Sequence, residues 1–220
     1  MSTDSAVQTK NRFNTEASAE KYAGSLGGTP THFREVRCIR EALGGLPEGA
    51  RVLDMPSGTG RLMAVLVDMG FQVTEADSSP HMIEQARRHA KAIHVHHGVE
   101  FRVEDAFATT FPDDAFQAVL CNRLLHHFPE AEVRRRCLRE LARICPGPIV
   151  ASFFCNRSLG AFVYHLKNRL RGRIPTDRVP IPLAQFVADA EAAGLRVVRT
   201  LATRPWIGKQ WYAVLERADR

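Results

Sequence analysis

The chain has 220 residues, 45 % hydrophobic and 25 % charged, the composition of an ordinary globular protein long enough to bury a core without disulfide or metal staples. No apolar run approaches the roughly 20 residues that span a bilayer, and the first residues carry no signal-peptide core, so the expected compartment is the cytoplasm. The net charge of +6 and pI of about 9.4 favour an anionic partner such as nucleic acid, phosphate or a membrane surface. Much of that excess, however, sits at Arg134, Arg135, Arg136, Arg139 and Arg143 on one predicted helix, where a solvated face accounts for it. Cys38, Cys121, Cys137, Cys145 and Cys155 are odd in number and form no CxxC pair, so they read as reduced structural thiols.

Residues 1–30 are polar and end in Gly-Gly-Thr-Pro, which reads as a mobile arm with one short helix. A helix is expected from Thr31, as N-cap, to Leu43, stopped by Gly44 and Gly45. Strands and helices then alternate: strand 50–55, helix 60–69, strand 71–77, helix 80–91, strand 99–105, strand 116–122, helix 130–145 and strand 148–154. Such alternation implies βαβ units and a mostly parallel sheet. The rhythm changes at a helix over 158–170 and a basic, proline-containing connection over 171–182. A helix over 183–193 and two antiparallel strands near 195–202 and 209–216 close the chain.

The residues with most chemical content stand at strand ends. In VLDMPSGTGR (52–61) a hydrophobic strand ends in Asp54 and a glycine turn with Gly58 and Gly60 opens a helix. Ligands of open α/β sheets bind beyond the carboxyl ends of the strands, and glycine lets the backbone approach them closely. The turn lacks both the G-x-G-x-x-G dinucleotide pattern and the Lys-Ser/Thr of a P-loop. The next strand ends in Asp77, placed to accept the ribose hydroxyls of a nucleoside, and the one after it in Asp105. Asp54 alone would pass for a helix cap; three acids at consecutive strand ends read as a ligand site.

In this order VLDMPSGTGR, VTEADSSPHMIEQAR (73–87), EDA (104–106) and FQAVLCNRLLHHF (116–128) resemble class I S-adenosylmethionine-dependent methyltransferases of the ubiquinone- and menaquinone-biosynthesis type. The resemblance covers residues 31–155 well and the closing strands more loosely. It implies a Rossmann-like seven-stranded, mostly parallel sheet with an antiparallel last strand, helices on both faces, an N-terminal helical arm and a helical lid insertion. It also implies S-adenosylmethionine as cofactor and S-adenosylhomocysteine as its product. Asp54, Ser57, Gly58 and Gly60 would surround the methionine part, Asp77 the ribose, and Ser78 and Met82 the adenosine. Asp105 and Ala106 would meet the adenine, and Asn122 would lie near the sulfonium. Two positions depart from the family pattern: Pro56 stands in place of its first glycine and Gln117 in place of an Asp.

One methyltransferase domain over 1–220 is therefore expected: arm and helix to 45, cofactor-binding core over 50–155, lid over 157–182, closing helix and strands over 183–220. The acceptor should be a small or medium-sized molecule methylated on oxygen, such as a sugar, glycolipid or secondary metabolite. His126 and His127, after the fourth strand, are candidate general bases, or else a packed and a solvated histidine. Tyr22 and Phe13 are candidates to close over the cofactor, and Arg34 and Arg37 to face the same cleft. Phe162, Val163, Leu166 and Leu170 recur at helical spacing, so that face is expected to pack on the domain, leaving Arg169, Arg171 and Arg173 to overhang the acceptor entrance and select an anionic acceptor. His94, His96 and His97 read as loop histidines, and no metal site is expected. The rival functions are an RNA methyltransferase and a cofactor-binding protein without turnover. Against base amino-group methylation, Asn122-Arg123-Leu124-Leu125 stands where an Asn/Asp-Pro-Pro-aromatic motif would be.

Overall fold

The computed structural model describes residues 4–23, 28–95, 97–172 and 177–218, without the side chains of residues 22 and 23. Its centre is a seven-stranded sheet in the order β3-β2-β1-β4-β5-β7-β6. The strands are β1 (Arg51–Asp54), β2 (Gln72–Asp77), β3 (Val99–Val103), β4 (Ala118–Cys121), β5 (Ile149–Phe154), β6 (Leu195–Ala202) and β7 (Gln210–Arg217). The first five pair in parallel, and β7 runs antiparallel to both β5 and β6. Central strands covered on both faces read as unbroken apolar runs: β4 and β5 are buried throughout. Edge strand β3 is half-buried or exposed along its length.

Two layers of helices cover the sheet. Alternate residues of a strand face opposite ways; Leu53 joins one core with α6 (Ala131–Ile144) and α8 (Leu183–Glu191), and Val52 joins the other with α3 (Pro30–Leu43) and α4 (Met63–Asp68). On the latter side Met63 also packs with α5 (Pro80–Ala92) through Ala86 and Ala90. The parallel register brings Asp54, Asp77 and the turns after β3 and β4 to one edge of the sheet.

Several expectations are corrected. The N-cap of α3 is Thr29, which accepts the N–H of His32 at 3.2 Å; Pro30 starts the helix because its fixed φ suits the first turn and it needs no N–H partner. The arm holds two helices, α1 (Ser5–Phe13) and α2 (Glu16–Ala23), separated where Thr15 accepts the N–H of Ser18. Helix α4 begins at Met63 because Gly58 and Gly60, at φ +57° and +75°, keep the preceding residues in a turn. In α7 (Leu159–Leu170) the packed side is the reverse of that expected. Ala161 is buried and Tyr164 and Asn168 half-buried, whereas Phe162, Val163, Leu166 and Leu170 are exposed.

The arginines of α6 are also not all solvated. Arg134 is buried, donating to Asp189 of α8 at 2.8 and 2.6 Å and to the carbonyls of Phe128 and Pro129 at 2.7 and 2.8 Å. Asp189 also accepts from Arg135 and Gln185. This network fastens α6 to α8 and to the loop that carries His126 and His127. Asp189→Ala leaves the Arg134 charge buried and unpaired, and should cost about 3–5 kcal/mol in urea unfolding. Replacing Arg134 and Asp189 together by Met and Leu should recover most of that loss. Equal loss in single and double variants would show that the charge pair is not what holds these elements.

Candidate active site

At the carboxyl ends of β1–β5 lies a cavity of about 340 Å³. Its acid side is organised by Asp77. One carboxylate oxygen accepts the N–H of Gly58 at 3.0 Å and the other that of Ser79 at 2.9 Å, tying the turn after β1 to the start of α5. Ser79 in turn caps α5 at the N–H of Met82. Gly60 has a second constraint, since a Cβ there would come within 2.5 Å of the Met63 methyl and 3.2 Å of Ala86.

Of the residues expected around the cofactor, Ser57, Gly58, Asp77, Ser78, Met82, Asp105, Ala106 and Asn122 all line this cavity. Asp54 and Gly60 do not; their neighbours Met55 and Thr59 do. Asp105 donates nothing to the core: its carboxylate takes the Lys10 ammonium at 2.9 Å and the N–H of Phe107. Asn122 accepts the Tyr212 hydroxyl at 2.9 Å and that of Ser152 at 3.1 Å, and its amide nitrogen keeps its donors.

Burial raises the carboxyl of Asp77 to about 6 against the two backbone N–H groups that hold it down. Asp54 and Glu75, paired across β1 and β2, are raised further, both chiefly by burial; the charge of Asp77 adds to Asp54 against that of Arg61, and the charge of Asp54 adds to Glu75. One oxygen of Asp54, both of Glu75 and the Ser57 hydroxyl have no hydrogen-bond partner. Buried polar groups are seldom left so. Of these groups Ser57 lines the cavity, so a ligand entering beside Ser57 and Asp77 can give its hydroxyl a partner.

A basic part of the wall was not singled out from sequence. Glu35 of α3, fully buried, receives Arg61 at 2.7 Å and Arg123 at 2.8 and 2.5 Å. Both arginines line the cavity, and two guanidiniums on one carboxylate leave donors for an anionic group. The signal available was a Glu on the same helix face as Ile39 and Leu43, and an Arg directly after the glycine turn.

His126 and His127 both line the cavity, in different environments. His126 stacks on Phe154 with ring centroids 4.0 Å apart, and its Nδ1 has no partner. Burial, then the nearby His127 and Arg123, hold it well below the ordinary imidazole value. His127 meets Asp177 through Nδ1 at 2.5 Å, and Arg12 of α1 reaches the same carboxylate at 2.8 Å. Burial lowers the His127 pKa and Asp177 raises it; burial wins, and the ring is neutral at pH 7. Burial also opposes ionisation of Asp177, but hydrogen bonds from Arg12 and His127 outweigh it and hold its carboxyl below the usual range.

Phe13 lines the cavity and meets His127 edge-on at 5.5 Å. Arg34 does not line it, and Arg37 turns to the carbonyls of Ala202 and Thr203. Arg169 and Arg171 lie off the wall too; Arg178 is the cation from the segment after α7 that reaches it. The side chain of Tyr22, and Arg173 and His96 entirely, lie outside the described residues. Among the described residues no group of His, Cys, Asp or Glu could hold a metal ion.

Residues 52–146 match the family model described as a methyltransferase domain. A ubiquinone biosynthesis O-methyltransferase of Methylocella silvestris is 33 % identical over 134 residues, 60 % of this chain and 51 % of that protein. One of Xanthomonas axonopodis pv. citri is 34 % identical over 118 residues, 53 % of this chain and 47 % of that protein. Over residues 52–146 the chain carries a methyltransferase domain of the class I, S-adenosylmethionine-dependent kind. It spans about half the length of the curated relatives it matches. The fold of this methyltransferase is shared with magnesium protoporphyrin IX methyltransferase of Synechocystis PCC 6803 with bound SAH (TM-score 0.75, 19 % identity, 98 % of this chain and 100 % of that one). It is shared also with mitomycin 7-O-methyltransferase (TM-score 0.75, 21 % identity, 98 % and 61 %).

The cofactor is S-adenosylmethionine, and the cavity fits it. Asp77 has lone pairs left for the ribose hydroxyls, and Arg61 and Arg123 suit a carboxylate. Asp77→Ala should weaken binding about 10- to 100-fold by calorimetry, the cost of unpaired buried hydroxyls. In the parent, affinity should fall as pH drops through about 6, where Asp77 takes up a proton and loses acceptor capacity. Unchanged affinity of the variant would remove Asp77 from the ribose site.

Proposed function

We propose that this methyltransferase methylates a hydroxyl oxygen of a small, largely apolar acceptor, with His127 as general base. The observation that carries the reading is the His127–Asp177–Arg12 array on the cavity wall. Nδ1 of His127 meets both the Asp177 carboxylate at 2.5 Å and an Arg12 guanidinium nitrogen at 3.0 Å; in the tautomer with the proton on Nδ1, donated to the closer Asp177, Nε2 keeps a lone pair. The other terminal nitrogen of Arg12 holds Asp177 at 2.8 Å. A base whose orientation is fixed by a third group is the arrangement that proton abstraction needs.

When bound, S-adenosylmethionine supplies an electrophilic methyl group on its sulfonium. The chain's own residues do the rest. Nε2 of His127 receives the acceptor's hydroxyl proton as the oxygen becomes the nucleophile. Phe13, Phe107, Leu124 and Phe128 line the cavity; they exclude water and favour an aromatic or otherwise apolar acceptor over a bare sugar. Orientation by such walls supplies much of the acceleration in a displacement of this kind. Arg12, Arg136 and Arg178, also on the wall, leave room for an acceptor with an anionic substituent. The O-methyltransferases among its relatives agree with transfer to oxygen. His126, with its ring stacked and its basicity suppressed, is the wall beside the base.

His127→Asn should lower kcat by about 10²- to 10⁴-fold with cofactor affinity unchanged. Because burial depresses the His127 pKa, the acidic limb of kcat should lie below pH 6.5, with activity lost as pH falls and the imidazole becomes protonated. Asp177→Asn removes the raising influence, so the limb should move lower still while kcat drops. Unchanged turnover in His127→Asn would leave positioning alone as the mechanism.

A further inference from the structure

The exposed face of α7 is more ordered than a solvated helix requires. Leu159, Phe162, Val163, Leu166 and Leu170 fall within an arc of about 100° on a helix of 3.6 residues per turn, and all are exposed, Leu170 by 78 %. Its opposite side, with Ala161, Tyr164 and Asn168, is the packed one, and the Tyr164 hydroxyl donates to the carbonyl of Asp177 at 3.2 Å. At its N-terminal end, the carbonyls of Trp206 and Ile207 accept the N–H groups of Leu159 and Gly160 at 2.9 and 3.0 Å. This sets the β6–β7 turn beside the stripe, with Trp206 85 % exposed.

Charge borders this apolar strip with one sign. Lys167 and Arg169 project on either side of it and Arg171 follows at its end. Between Asn156 and Gly172 there are four basic residues and no acid, and Arg204 and Lys209 in the turn add two more. Among the described residues, Arg157, Lys167, Arg169, Arg171 and Arg204 meet no carboxylate.

We propose that this face docks flat on an anionic lipid bilayer, with the α7 stripe and Trp206 entering the headgroup–acyl boundary and Lys167, Arg169 and Arg171 meeting lipid phosphates. An in-plane helix with an apolar stripe and a basic border has the form that binds such a surface, and an exposed tryptophan suits its interface. No described helix is long and apolar enough to cross a membrane, so the contact is peripheral. A second copy of the chain is a poorer occupant, because a two-fold interface would set the same cations against themselves. The inference does not depend on the acceptor or on the role of His127.

The test is flotation of the whole chain with phosphatidylcholine vesicles, with and without phosphatidylglycerol, alongside sedimentation analysis without lipid. Trp211→Phe leaves Trp206 as the one tryptophan reporter. The expected result is binding to the anionic vesicles with a blue shift of Trp206 emission, and release by salt. Replacing Lys167, Arg169 and Arg171 by Gln should lower partitioning by at least about tenfold. Phe162→Ser with Leu166→Ser should abolish the shift while cofactor affinity stays intact. Absence of binding to anionic vesicles, binding indifferent to these variants, or a lipid-free dimer that Phe162→Ser with Leu166→Ser dissociates would each overturn the proposal.

Discussion

The carboxylate of Asp77 is the joint on which the cavity depends. It ends β2, yet its bonds go to the N–H of Gly58, after β1, and of Ser79, at the start of α5. A single buried side chain thus fixes two adjacent strand-end turns against each other. The glycine turn can take its left-handed conformations because Gly58 and Gly60 pay no Cβ penalty there. Ser57, Ser78 and Met82 then come to the wall as a consequence of where the two turns are held.

The same edge carries an electrostatic division. Asp54, Glu75 and Asp77 are buried with their acidity suppressed, while Arg61 and Arg123, both on the cavity wall, share the buried Glu35. Desolvated, unpartnered carboxyls disfavour the folded state at neutral pH, since ionising them in the fold is harder than in the open chain. Such a cost persists at binding sites because a ligand can supply the missing partners. The carboxylate of a zwitterionic methionine group would be a complement for the two arginines on the wall.

Most of the sheet was legible because βαβ alternation and strand-end acids are local signals. Asp54 and Asp77 end buried strands and Asp105 follows the half-exposed edge strand β3, and parallel pairing alone gathers them. Glu75 was passed over because an acid inside an apolar strand looks like an outward-facing residue until β1 is seen beside it. Glu35, Arg12 and Asp177 were missed for another reason: each acts through a partner far off in sequence, Glu35 with Arg123 and Asp177 with Arg12 and His127. The stripe on α7 was visible, but periodicity shows that a helix has an apolar side, not which side the domain takes. Here the small and polar side, Ala161 with Tyr164 and Asn168, is the packed one.

The proposed base is consequently a composite. His127 comes from the loop after β4, Asp177 from the segment after α7, and Arg12 from α1. These parts are not held equally. The loop is anchored by the buried Arg134–Asp189 network, whereas α1 is held largely by polar contacts at partly exposed side chains: Lys10 to Asp105, Arg12 to Asp177, Arg136 to Asp4, and Ser5 to Glu130. Exposed pairs contribute only about 0–1 kcal/mol each and weaken with salt. Of α1 only Ser5 and Ala6 are buried, yet Val7, Lys10 and Phe13 form part of the cavity wall. The fixed part of the site therefore carries the imidazole, and the weakly held helix carries the wall over it.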